Sequence, residues 1–300
     1  MNRWLKWFLV LGILCVVIWY FLLKEYQYQV SFNTKEPRAV MYKHILDWDS
    51  YKRDNEEISV IRKQEYSEIV QRVNYGDSTF LYNWKLKRNS DGSTKITAYI
   101  SDAQNKFVQL LSVPFGANDF VQRSIKNVKD VADAQKLIAE TYKVHSITDT
   151  TIQRKYCAYL PLRSSINDKA PAMLRGIALI MEYIKGNEIE LNGDPFLQVT
   201  DWDEEEEMIS FDFCFPVKQL DSIPPHPTVL LKTTETLDGI KAEFNGNYRD
   251  SEVAWYYLLD HAAENGLDVK PLPLEIYQND PHAGGDPLTW KAQVLLPLND

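Results

Sequence analysis

The chain is short of the residues on which most recognisable chemistry depends. Among 300 residues there are three cysteines, Cys15, Cys157 and Cys214. That is too few for a disulfide scaffold. The histidines, His44, His145, His226, His261 and His282, show no H-x-x-x-H spacing, so the pattern predicts no metal and no cofactor. Neither a G-x-S-x-G elbow nor a glycine loop that could cradle phosphate is present, which removes the commonest hydrolase and nucleotide-binding signatures. Basic charge is scarce in the second half: residues 151–300 carry 12 basic and 25 acidic groups, against 18 and 17 in residues 25–150. Neutralising phosphates needs a basic face, so no nucleic-acid partner is expected.

What the chain does have is hydrophobic residues, at 45% of the total. That suffices for one large core or two ordinary ones, and it excludes a disordered or collagen-like chain. Length and the charge asymmetry together suggest two domains of about 150 residues each.

One long apolar run precedes them. Trp7 to Leu23 contains no charged residue, and with Trp4 and Leu5 it approaches the ~20 residues of a bilayer-crossing helix. Trp4, Trp7, Trp19 and Tyr20 lie near its ends, where aromatic rings favour the membrane interface. A cleaved signal would end in small residues, whereas this run ends Leu22-Leu23-Lys24-Glu25-Tyr26. Residues 1–24 therefore read as a single-pass transmembrane anchor, with residues 4–23 in the membrane. Arg3 and Lys6 would keep the N-terminus cytoplasmic and place the remainder outside the cytoplasm. Cys157 and Cys214 either pair in that oxidising compartment or remain two buried thiols.

The remainder reads as an α+β protein. In residues 25–150 a strand at Tyr26–Asn33 precedes helical spacing at Pro37–Tyr51. Strands are expected near 58–64, 66–74, 79–88, 94–101 and 106–114, with a turn at Asn89-Ser-Asp-Gly92. Phe80, Tyr82, Trp84 and Leu86 alternate onto one sheet face. A helix from about Asp119 to Val144 follows, capped by Asn118 and striped by Val121, Ile125, Val128, Val131, Leu137/Ile138 and Tyr142. Lys52-Arg53 and Lys85-Leu-Lys87-Arg88 read as solvated strand ends, with contact to anionic lipid as the alternative if they face a membrane. This order resembles the START-like (SRPBCC) helix-grip fold, and the resemblance implies an apolar cavity between sheet and long helix. Packing of the three aromatics against the helix accounts for the same pattern without a cavity.

Residues 151–300 contain an internal repeat of a strand, a helix ending in glycine, and two strands ending in proline. Copy one, about 152–217, runs through the strand Lys155–Leu162, the helix Pro171–Lys185 with Gly186, and Pro216. Copy two, about 227–298, runs through the strand Thr228–Thr234, the helix Ser251–Asn265 with Gly266, and Pro297. Both glycines are expected in the left-handed conformation that ends helices. Asp201-Trp-Asp-Glu-Glu-Glu-Glu207 reads as a solvated hairpin tip, with calcium binding a remote alternative because the ligand-spaced pattern is absent. Duplicated units leave a seam between copies, and seams favour ligand sites.

Gly246-Asn-Tyr248, Asn265-Gly266, Pro273-Leu-Glu275-Ile-Tyr277, Asp280-Pro281 and the closing Thr289–Pro297 strand resemble the GyrI-like effector-binding domain, the ligand-sensing end of many AraC-type and MerR-type bacterial regulators. The resemblance covers about 152–298. It implies a pocket between repeats for small apolar, often cationic, molecules, with a glutamate of the second repeat supplying charge. Some relatives are small-molecule hydrolases. This chain lacks a basic helix-turn-helix.

Glu275 is the leading candidate, since strand alternation puts it on one face with Tyr277. If that face lines the pocket, burial makes a lone carboxylate seek a cation or a proton. Trp290, Trp255, Tyr256, Tyr159, Phe211 and Phe213 are candidate aromatic walls, worth roughly 0.5–2 kcal/mol through cation–π contact. The first expectation is a membrane-anchored protein that binds or sequesters a small apolar or cationic ligand. The alternatives are a hydrolase using Glu275 as general acid or base, and an interaction module without a ligand.

Overall fold

A computed structural model describes residues 3–52, 56–116, 118–219 and 225–299. Arg53, expected at a solvated strand end, lies outside the described residues. The chain divides between Leu137 and Ile138 into two compact units.

The apolar run forms helix α1, Arg3–Ile18, followed by a π-helical turn, Trp19–Leu23. Among the described residues no helix is long and apolar enough to cross a membrane. This corrects the expected span. Sixteen α-helical residues rise roughly 24 Å, short of the ~30 Å hydrocarbon core. The five residues meant to complete the crossing leave the regular helix.

In the first unit, strand β1 (Tyr28–Thr34) leads to helices α2 (Arg38–Leu46) and α3 (Trp48–Tyr51). A meander follows: β2 (Glu57–Gln64), β3 (Glu68–Asn74), β4 (Thr79–Arg88) and β5 (Thr94–Asp102). They pair in the order β1-β5-β4-β3-β2, all antiparallel. The segment expected as a fifth strand of the run is helix α4, Lys106–Ser112. The Asp102 carboxylate accepts from the backbone N–H groups of Gln104 and Asn105, which turns the chain out of β5.

The long helix α5 runs Asp119–Ala139 with the Asn118 side chain accepting from Val121 N–H at 3.0 Å, the expected cap. It stops short of Val144. Of the expected stripe, Val121, Val128 and Val131 are buried, together with Phe120, while Ile125, Leu137 and Ile138 are exposed. Tyr82 and Trp84 are fully buried under it and stack at 5.8 Å, with Trp48 edge-on to both. These rings lie on the sheet face that α5 covers, where the helix-grip resemblance implies a cavity.

Among the described residues the second unit is one nine-stranded sheet with helices on one face. It begins with β6 (Tyr142–Val144) and β7 (Thr148–Ile152). The first repeat is β8 (Tyr156–Ser165), α6 (Lys169–Gly186), β9 (Phe196–Asp203) and β10 (Met208–Pro216). After β11 (Leu230–Thr233), the second is β12 (Leu237–Gly246), α7 (Val253–Asn265), β13 (Leu274–Tyr277) and β14 (Lys291–Pro297). The order is β11-β8-β10-β9-β13-β14-β12-β6, with β7 also on β12. The sheet is therefore two matching halves joined at β9–β13. The short strand preceding each repeat crosses over: β7 pairs with the second repeat's β12, and β11 with the first repeat's β8. The first strand of repeat two is thus β12, not the expected 228–234 segment. Gly266 is left-handed at φ 63°, as expected. Gly186 stays helical and Glu188 takes the left-handed turn at φ 55° instead.

Candidate functional site

The helix-facing side of the second sheet carries the site. Alternation on β13 sends Leu274 and Ile276 to the opposite face, into a small cluster with Cys157, Cys214 and Leu295. Glu275 and Tyr277 consequently face the helices. Glu275 is fully buried. Its Oε2 accepts from the Ser251 hydroxyl and from the Tyr277 hydroxyl, each at 2.6 Å. Its Oε1 has no hydrogen-bond partner among the described residues. Burial, reinforced by the Glu275 charge, holds the Tyr277 hydroxyl well above its ordinary pKa, so it serves as a donor.

Glu275 is not the lone charge that its sequence context suggests. Lys169, at the start of α6, is fully buried, and its Nζ lies 2.6 Å from Glu252 Oε2. The same ammonium donates to the Tyr248 and Arg249 carbonyls at 3.0 and 3.2 Å. Burial alone pushes Lys169 down, but the Glu252 and Glu275 carboxylates more than reverse this and keep it charged. Lys169 thereby ties the first repeat to the turn that opens α7 in the second.

In front of this cluster lies a cleft of about 580 Å³, walled by both repeats. The first repeat supplies Met173 and Ile177 from α6 and Phe213 and Phe215 from β10. The second supplies Tyr248, Tyr277 and Trp290. The Tyr248 ring sits 4.8 Å from that of Tyr277 and 5.9 Å from that of Trp290. Its hydroxyl donates to the Lys291 carbonyl at 2.6 Å, which fixes the ring. Among the described residues Asp194, Asp280 and Arg249 are the charged groups of the lining.

Of the eight residues singled out from sequence, Tyr277, Trp290 and Phe213 line this cleft, and Glu275 lies one hydrogen bond behind Tyr277. Trp255, Tyr256, Phe211 and Tyr159 do not line it. Trp255 is on the buried face of α7, where Trp202 closes on it at 5.4 Å and on Tyr256 at 6.1 Å. Phe211 is core. Tyr159 is on the opposite sheet face, with Lys232 Nζ 4.9 Å above its ring. The nearby Cys157 and Cys214 are buried free thiols. Lys169 and Tyr248 were missed. Tyr248 lay inside the Gly246-Asn-Tyr248 motif. Lys169 carried no sequence signal, because its partners are 79 to 83 residues away.

No family model matches the chain, and no curated protein matches it. Several solved structures match about half of the chain. The C-terminal domain of EcmrR matches with TM-score 0.44 at 18% identity, over 52% of this chain and 98% of that one. A hydrolase from Listeria innocua matches with TM-score 0.33 at 15% identity, over 51% and 92%. SAV2435, bound to tetraphenylphosphonium, matches with TM-score 0.36 at 9% identity, over 52% and 94%. Identity and TM-score are low in all three, so the functional reading rests on the cleft.

Proposed function

We propose that the second unit binds a small, largely apolar, cationic molecule in the cleft between its two repeats. The observation that carries this reading is the cleft itself: a concave, aromatic-walled space of about 580 Å³ with few charged groups, within the size range of small-molecule sites. Tyr248, Tyr277 and Trp290 offer ring faces to a cation. Asp194 and Asp280 outnumber Arg249 in the lining, and Glu275 adds negative charge behind Tyr277. Glu275 does not line the cleft, so it touches no molecule held there. Binding therefore fits better than acid–base turnover by Glu275. Tetraphenylphosphonium is a suitable probe, as a lipophilic cation with four apolar rings. Titration should quench tryptophan fluorescence saturably, and Trp290→Ala should weaken binding about tenfold, in keeping with loss of an aromatic anchor. Absence of saturable binding to the intact protein would overturn the reading.

We further propose that α1 lies against lipid. Trp4, Trp7, Phe8, Ile13 and Val16 are all more than half exposed, and a continuous apolar face of this size needs cover. The full chain should float with phospholipid vesicles in a density gradient, and Leu9→Asp with Ile13→Asp should abolish flotation. A chain that stays at the bottom of the gradient with every vesicle would refute this.

A further inference from the structure

The end of α1 meets the first sheet at a recess that the ligand cleft does not account for. The π turn is fixed to α4: the Tyr20 hydroxyl donates to the Leu110 carbonyl at 2.9 Å, and the Phe21 ring lies 5.9 Å from Phe107. The chain then extends through Lys24 toward β1. Beside it runs the sheet face turned away from α5, where Val70, Asn83 and Tyr99 form one cross-strand row. Between them is a recess of about 470 Å³.

Its charges are unusual. Lys24 Nζ sits 4.9 Å from the Tyr20 ring centroid and 4.8 Å from that of Tyr26. Lys85 Nζ sits 5.8 Å from the Tyr99 centroid, and Tyr26 and Tyr99 touch edge to face at 4.7 Å. Two ammonium groups therefore flank one aromatic pair, and among the described residues neither is in an ion pair. The third cation, Arg62, is bound to Glu68 at 3.1 Å. Among the described residues Glu25 is the single carboxylate of the lining. Burial lowers the Lys24 pKa, as expected for an ammonium partly stripped of water. In the floor, the Asn83 amide oxygen is buried and has no donor among the described residues. The other end of the recess is apolar, formed by Trp19 and Leu23, and runs directly into the exposed face of α1.

An occupant that satisfies all of this has an anionic group for Lys24 and Lys85, a hydroxyl for Asn83, and apolar chains for α1. We propose that this recess seats the phosphate of an anionic glycerophospholipid, with its chains along α1. The inference rests on the reading that α1 lies against lipid, and adds to it a headgroup and the residues that select it.

The test is flotation of the full chain with vesicles of phosphatidylcholine alone and of phosphatidylcholine mixed with phosphatidylglycerol. Partitioning should favour the anionic vesicles. Lys24→Gln with Lys85→Gln should reduce that partitioning by about fivefold per lysine and leave the neutral vesicles unaffected. The pair Lys87→Gln and Lys95→Gln removes the same charge from the same sheet outside the recess, and should cost less than about twofold. Equal partitioning into both vesicles, or equal loss in the two double variants, would overturn the headgroup site while leaving lipid contact intact. Failure to float with any vesicle would overturn lipid contact itself. Saturable binding of inorganic phosphate to the protein in solution, without a preference between vesicles, would reassign the recess to a free anion and also defeat the proposal.

Discussion

Lys169 and Glu252 meet at 2.6 Å across the seam between the repeats, each at the start of its own helix. A lysine at a helix N-terminus opposes the helix dipole, so its placement has to be compensated. Here the compensation is two backbone carbonyls and a carboxylate from the other repeat. Removing the ammonium leaves Glu252 facing Glu275 without a cation. Lys169→Met should therefore cost about 3–5 kcal/mol of stability, whereas Lys169→Met combined with Glu252→Leu should recover most of it. Urea unfolding of the full chain measures both. A single variant with an unshifted midpoint would show that the pair is not buried as described.

The hydrogen bond from Tyr277 to Glu275 makes the carboxylate felt in the cleft without exposing it. Glu275→Gln keeps the shape and removes the charge. Binding of tetraphenylphosphonium should weaken several-fold, while binding of tetraphenylborate, the anion of the same shape, should hold or improve. Equal effects on the two ions would mean that the substitution disturbs packing and that Glu275 contributes no field to the cleft.

The repeat was legible because its landmarks are punctuation. Glycine and proline mark element ends whatever the fold, and Pro216 and Pro297 do close equivalent strands. The first strand of copy two was misplaced for a physical reason. Val229-Leu-Leu231 is the more hydrophobic run, but β12 alternates, with Ile240, Ala242 and Phe244 inward and charged residues between them. Its glycine reads as a breaker, yet a Cβ on Gly239 would lie 2.4 Å from the Leu296 carbonyl oxygen, so close strand approach demands it. In the site, Tyr277 and Glu275 followed from period-two alternation, which is local. The choice among the other aromatics did not. Trp255 and Phe213 look equivalent in sequence, and only the packing of Trp202 onto α7 closes one side and leaves the other open. The span failed in another way: hydropathy reports apolarity, and it does not reveal that regular α-helix gives way at Trp19.

His44 makes the first unit sensitive to acid. Its Nε2–H donates to the Val131 carbonyl at 3.0 Å, joining α2 to α5, and its ring stacks on Tyr51 at 4.5 Å. Burial holds its pKa down at about 4, against an ordinary value of 6.5. Above pH 6.5 the imidazole is neutral in both folded and unfolded chains. Between pH 6.5 and 4 the unfolded chain binds a proton that the folded chain refuses, so stability falls as pH drops through that window. The full loss from this one group is about 3 kcal/mol. His44→Gln cannot take up that proton and retains an N–H donor for Val131. Urea midpoints for the first unit's transition, taken at several pH values across the window, should slope less steeply in the variant than in the wild type. Parallel slopes would place the acid sensitivity elsewhere, since no other change distinguishes the two proteins.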